Sequence, residues 1–389
     1  MHQSISFLLA SFGFAVVSFP AAPQKLPIPE MPAAQQQELT SYLKAHWKTP
    51  EDYVVDKFAT YDLVFIGEYH RIKHDPELIQ ALIPRLYKAG VRNLGLEFTC
   101  SEDQEKVDAL LASTAYDENL VRYLFRQYTP WPYVEYMDIY RRAWELNRSL
   151  PASAPRFRVV NLGYKPNFRA LREGHPEDWR NVWQKGDPDE FMAQVILKEF
   201  VAPGRKALIY SGMHHAFTRY HQPIYDFDHA KFIRFNQTRM GNIVHDKVPA
   251  KVFTIFLHSP WPTRKSSEES AYPAAGLIDR VMQDLPDKRV GFDVQGSPFG
   301  RLRDPNTYYA FGYEDFTLDA YTDGYIFQKA FSDYAGVTTD KDFITAKELP
   351  EILENFPNPQ ARKVLTTPAL FLQAMAEDAD IPSRFKRLE

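Results

Sequence analysis

The stretch "DLVFIGEYHRIKHDPEL" (62–78) sets Glu68, His70, His74 and Asp75 behind an apolar run. Carboxylates and imidazoles are the side chains that move protons near neutral pH and ligate divalent metals. A second stretch, "ALIYSGMHHAF" (207–217), does the same with His214 and His215. Both read as Gly-x-x-His, once as Gly67-Glu68-Tyr69-His70 and once as Gly212-Met213-His214-His215. Glycine lets the chain turn sharply and lets another group approach the backbone. "NLGLEF" (93–98) adds Glu97, a charge in an apolar segment that needs a partner if buried. Brought together, His70, Glu97 and His215 could ligate a divalent metal with an open position. With Glu68 they could instead form a proton-transfer set that activates water. The spacing favours His215 over His214 as the inward-facing member of its pair. His214 therefore stands as a secondary candidate, with His258 and Asp293 near the ends of later apolar runs. His74 reads as a loop residue.

The elements that would position these groups follow from the hydrophobic pattern. Apolar runs at 61–67, 93–98, 156–163, 206–212 and 251–258 predict buried strands, with shorter ones at 290–294 and 323–327. Asp75 predicts a helix N-cap, Pro76 the first helical position, and Leu78, Ile79, Leu82, Ile83 and Leu86 the buried stripe, with a kink at Pro84. That boundary puts Glu68, His70 and His74 in a strand-to-helix loop. Ser101 and Gln104 predict a capping box, and helices are expected at 34–47 and 133–147, with broken helix over 164–200. Strands alternating with helices predict an α/β fold: a mostly parallel sheet with helices on both faces, helical insertions and a helical C-terminal segment. Such sheets bind ligands beyond the carboxyl ends of their strands, where both Gly-x-x-His motifs fall.

Composition narrows the function. A net charge of −4 with no long basic run argues against nucleic acid as partner. Cys100, the one cysteine, cannot form an intramolecular disulfide and reads as a core residue. The apolar run 5–19 and the small residues at 21–22 predict a signal peptide over 1–22, then a Pro-rich linker and first helix to residue 45. Residues 46–389 are expected to form a single domain with a helical insertion around 164–200. The mature chain is expected outside the cytoplasm with no membrane span.

The motifs "VFIGEYH", "LGLEF" followed by Gln104, "RFRVVNLGY" and "LIYSGMHHAF" resemble those of one superfamily. It joins haem-binding ChaN-type proteins, Tiki and TraB/PrgY-type metalloprotease-like proteins, and erythromycin esterases. The paired Gly-x-x-His and the intervening Glu carry over onto His70, His215 and Glu97. The resemblance implies an α/β fold and a shared pocket. Two functions are expected from it: a hydrolase, metal-dependent or His/Glu-based and peptidase-like or esterase-like, or a protein binding haem or another planar apolar ligand. No tyrosine here matches a haem ligand, and the substrate, a small molecule or a peptide, is unnamed by any motif.

Overall fold

The computed structural model describes residues 25–388 apart from 267, 286 and 287, so the expected signal peptide over 1–22 lies outside the described residues. Seven strands form one sheet: β1 (Leu63–Glu68), β2 (Asn93–Cys100), β3 (Arg158–Gly163), β4 (Ala207–Gly212), β7 (Val252–Leu257), β10 (Val290–Asp293) and β11 (Gly324–Phe327). The numbers between belong to two hairpins, β5 (Gln222–Asp226) with β6 (Lys231–Asn236), and β8 (Trp261–Pro262) with β9 (Ser270–Ala271). The sheet order is β10-β11-β7-β1-β4-β2-β3. All pairings are parallel except β10 with β11, which is antiparallel.

Successive strand residues face opposite sides, so each strand feeds two cores. Val64, Ile66, Leu94, Leu96, Leu208 and Tyr210 pack on one face. That face is covered by α2 (Pro50–Lys57), α3 (His74–Lys88), α4 (Gln104–Ala112), α5 (Glu118–Leu124) and α6 (Val134–Ser149). Leu63, Phe65, Val160 and Ile209 pack on the other, beneath α1 (Ala33–His46), α8 (Pro188–Ile196) and α9 (Met240–Lys247). Both faces are thus buried, which is why the strands read as continuous apolar runs rather than alternating ones. The expected broken helix over 164–200 appears as 3₁₀ turns, the short α7 (Trp179–Val182) and α8. Further helices lie at Leu349–Glu354, Ala361–Val364, Pro368–Asp378 and Ile381–Phe385.

Several local expectations are corrected. Helix α3 begins at His74, and its N-cap position is Lys73, with no side-chain cap. Asp75 is fully buried inside the first turn and accepts from Gln328 Nε2 at 3.2 Å instead of capping its own helix. His74 is helical rather than in a loop, and Glu68 is the last residue of β1. The Ser101/Gln104 capping box is absent. A 3₁₀ turn occupies Ser101–Asp103, and the Gln104 side chain bonds the backbone of β3 at Asn161 N (2.8 Å) and Val159 O (2.9 Å).

Candidate functional site

The sheet order brings β1, β4 and β2 side by side, so their carboxyl ends form one edge. Glu68 ends β1, almost fully buried, and its carboxylate is the acceptor for three donors. Tyr136 of α6 donates to Oε1 at 2.6 Å, Tyr210 of β4 donates to Oε2, and His70 Nδ1 lies 2.8 Å from Oε1. Burial pushes the Glu68 carboxyl up, while His70 and the two phenols pull it down. Burial, and then the Glu68 charge, push the hydroxyls of Tyr136 and Tyr210 well above the ordinary range, so they remain donors. A carboxylate held this way fixes the His70 tautomer: Nδ1–H faces Glu68 and Nε2 is left with a lone pair. The His70 side chain is about one-third exposed, and its ring meets Phe98 and Trp131 edge-on at 5.5 and 5.2 Å.

Gly212, at the end of β4, makes this packing possible. A Cβ there would sit 2.7 Å from His70 Cε1, 2.9 Å from His70 Nε2 and 3.5 Å from Glu97 Oε2. Glu97 from β2 accepts from Gly212 N at 2.7 Å and pairs through Oε1 with His215 Nε2 at 3.2 Å. His215 Nδ1 pairs in turn with Asp189 of α8 at 2.6 Å. Asp189 also accepts from Arg239 Nη1 (3.0 Å) and Met240 N (2.8 Å). Burial opposes every charge in this chain, yet the pairing overcomes it. Glu97 is held at about 2 by His215, His70 and the Gly212 N–H, and His215 is raised to about 10 by Asp189 and Glu97. Asp189 is likewise lowered, against burial, by His215 and Arg239.

The pairing decides what each group can do. His215 has both ring nitrogens paired with carboxylates, Nδ1 with Asp189 and Nε2 with Glu97, so neither points at open space where a metal would sit. The donor set expected from the sequence, His70, Glu97 and His215, therefore does not fit a divalent ion in this arrangement. Among the described residues no group of three or more His, Cys, Asp or Glu side chains is placed to hold one.

The secondary candidates separate from the site to differing extents. His214 Nε2 lies 3.2 Å from Tyr309 Oη, and burial pushes its pKa well below the ordinary histidine range. His258 is buried between Tyr325 Oη (3.0 Å) and Asp279 Oδ1 (3.1 Å), a satisfied core residue. Asp293 is misplaced for the site because β10 runs antiparallel. Its end pairs with Gly324, at the start of β11, and so lies at the opposite edge of the sheet, bound to Tyr53 (2.7 Å) and Lys57. Asp189, Arg239, Tyr136 and Tyr210 were not read from the sequence. The tyrosines looked like packing, and nothing local ties Asp189 to a histidine on another element.

The family model described as haem-binding uptake, Tiki superfamily, ChaN matches residues 54–186. This is the superfamily that the motifs resemble, and the matched segment holds Glu68, His70 and Glu97 but not His215. No curated protein matches the sequence. A solved Bacillus cereus protein is similar in fold, with a TM-score of 0.51 at 9% identity over 78% of this chain and 99% of that one. An erythromycin esterase mutant in its open conformation gives a TM-score of 0.44 at 12% identity over 70% and 91%. ChaN of Campylobacter jejuni, solved with cofacial haem, gives 0.36 at 13% over 55% and 88%.

Proposed function

We propose that the chain is an exported hydrolase of carboxylic esters or amides in which His70, oriented by Glu68, is the general base. The carrying observation is the 2.8 Å His70–Glu68 pair, with Glu68 fixed by two tyrosine donors and Nε2 of His70 lying against Gly212 at the end of β4. Nε2 takes a proton from water as its oxygen bonds the acyl carbon. The imidazolium then returns that proton to the leaving alcohol or amine as the acyl bond breaks. Glu68 stabilises the imidazolium between the two steps. Glu97, held ionised beside His70, offers a fixed acceptor for the attacking water. His215, Asp189 and Arg239 keep Glu97 charged and in place. No step here uses a metal. The test is hydrolysis of a mixed panel of carboxylic esters and amides in ¹⁸O-water. Label should enter the acid product with wild-type protein and be strongly reduced with Glu68→Gln. If no member of the panel is turned over, the reading is abandoned.

The family match favours a second reading, haem binding without turnover. Nε2 of His70, an imidazole nitrogen backed by a carboxylate, is the atom that would hold a haem iron. When bound, haem would supply an iron centre in an aromatic surround that includes Phe98 and Trp131. An absorbance titration decides it: a Soret shift at micromolar protein that His70→Ala removes supports haem, and no shift rejects it. Export rests on the apolar run 5–19 followed by small residues. Recovery of the native protein with residues 1–19 intact would refute that part.

A further inference from the structure

His70 is held from its backbone as well as from its ring. The next residue, Arg71, has φ 75°, a left-handed conformation that costs a non-glycine residue about 1–3 kcal/mol unless its surroundings enforce it. Those surroundings are specific. Arg71 N–H donates at 3.0 Å to the Tyr136 hydroxyl, the same hydroxyl that donates to Glu68. Arg71 C=O accepts from Val337 N at 3.0 Å. The guanidinium donates through Nε to Tyr133 Oη at 3.0 Å and pairs through Nη2 with Asp378. It lies 4.5 Å from the ring centroid of Trp131, the ring that packs on His70.

Two parts of this clamp, Val337 and Asp378, come from the C-terminal segment, outside the residues matched by the family model. Asp378 ends the helix Pro368–Asp378, and Met375 of that helix accepts from Tyr133 Oη at 3.1 Å. Ile72 bridges Gly336 in antiparallel fashion, and Lys73 N donates to Ala335 O at 3.0 Å. The strap and helix are themselves pressed together, since a Cβ on Gly336 would lie 1.7 Å from Ala379 O. The chain from Arg71 to Lys73 is thus gripped at each residue by Ala335, Gly336, Val337 and Asp378, far later in the sequence.

We propose that the C-terminal segment is a positioning device for the site: Asp378, acting through Arg71, holds the backbone that aims His70 at Glu68. This rests on the Glu68–His70 pair being the working pair of the site, but not on what reaction it serves. The guanidinium held by Asp378 reaches the imidazole through Trp131, whose ring packs on both.

The test follows His70 directly by NMR of full-length protein labelled at histidine, with its ring signals assigned by their loss in His70→Ala. Wild type is compared with Asp378→Asn and Asp378→Glu across pH, with melting temperature as the control for folding. In Asp378→Asn the ring signals should shift and the titration midpoint should move by about 0.5 unit or more, as expected when a charge partner is displaced. Asp378→Glu should restore the wild-type midpoint. A folded Asp378→Asn whose His70 signals and midpoint match wild type overturns the proposal. If Asp378→Asn does not fold, Arg71→Gly takes its place. Glycine accepts φ 75° without strain but has no guanidinium to hold it there. The same shift supports the clamp, and an unchanged midpoint sinks it. Because the readout is the imidazole itself, failure to find a hydrolysed substrate leaves this result standing, and an active hydrolase with an unmoved His70 removes the clamp alone.

Discussion

At the scale of single residues, the two histidines of the Gly-x-x-His motifs have different jobs. His70 is partly exposed and shares one nitrogen with Glu68, which keeps two other donors. His70→Ala should therefore cost only about 1 kcal/mol of stability, the net worth of an ordinary hydrogen bond, while removing the proposed turnover. His215 sits between two buried carboxylates. His215→Ala removes the ion-pair partner of Glu97 and leaves Asp189 with Arg239 alone, and should cost about 3–5 kcal/mol in urea denaturation. The sequence led to a symmetric expectation of two interchangeable ligands, and chemical denaturation of the two variants distinguishes that from the structure. The raised His215 also sets a pH dependence. A group whose folded pKa exceeds its unfolded value contributes fully below the unfolded value and loses that contribution as pH rises through the folded one. Stability should thus decline from about pH 6.5 to about 10. His215→Gln should flatten this alkaline limb, and a limb unchanged in that variant would assign it elsewhere. Asp75 gives a contrasting case. Burial and then the nearby Glu68 push its carboxyl well above the usual range. A carboxyl raised in the folded state costs stability as pH climbs above its unfolded value, so Asp75→Asn should destabilise less, relative to wild type, at about pH 7 than at about pH 4, read as melting temperatures.

At the scale of elements, strand ends do the positioning. Gly212→Ala places a methyl group within 2.7–2.9 Å of the His70 ring. It should displace His70 at a cost of about 1–3 kcal/mol, with a larger relative loss of turnover than of stability. Equal retention of activity would mean that the ring relaxes without consequence. What the sequence made legible here were the runs themselves. Residues buried on both faces leave continuous apolar stretches, and glycine followed by histidine marks where β1 and β4 stop. Partnerships across elements were not legible. Asp189 reaches His215 only because α8 packs beside α9 and under the sheet edge. Asp293 looked equivalent to the other strand-end acids, since direction is invisible in a four-residue strand. Asp75 looked like a cap because cap preference is local, whereas its burial is tertiary.

At the scale of the molecule, strand order determines whether a site exists at all. β4, from 207–212, lies between β1 and β2, so the strands carrying His70 and Glu97 are neighbours only through a strand outside the family-matched segment 54–186. A fragment of residues 54–186 should lack cooperative thermal unfolding, because its β1 and β2 would face an unfilled gap. Cooperative unfolding of that fragment would show that the two halves fold independently. The same order means that the site is assembled late in the chain and completed by the C-terminal clamp on Arg71. No helix among the described residues is long and apolar enough to cross a membrane.

The central claim, that the Glu68–His70 pair moves protons without a metal, is tested most directly by hydrolysis rates on nitrophenyl carboxylic esters. Chelator-treated wild-type protein is compared with His70→Ala at equal concentration and matched melting temperature. The account predicts turnover that survives chelation and falls about 100-fold or more in His70→Ala. Turnover undiminished in His70→Ala, or present only when a divalent metal is restored, would contradict it.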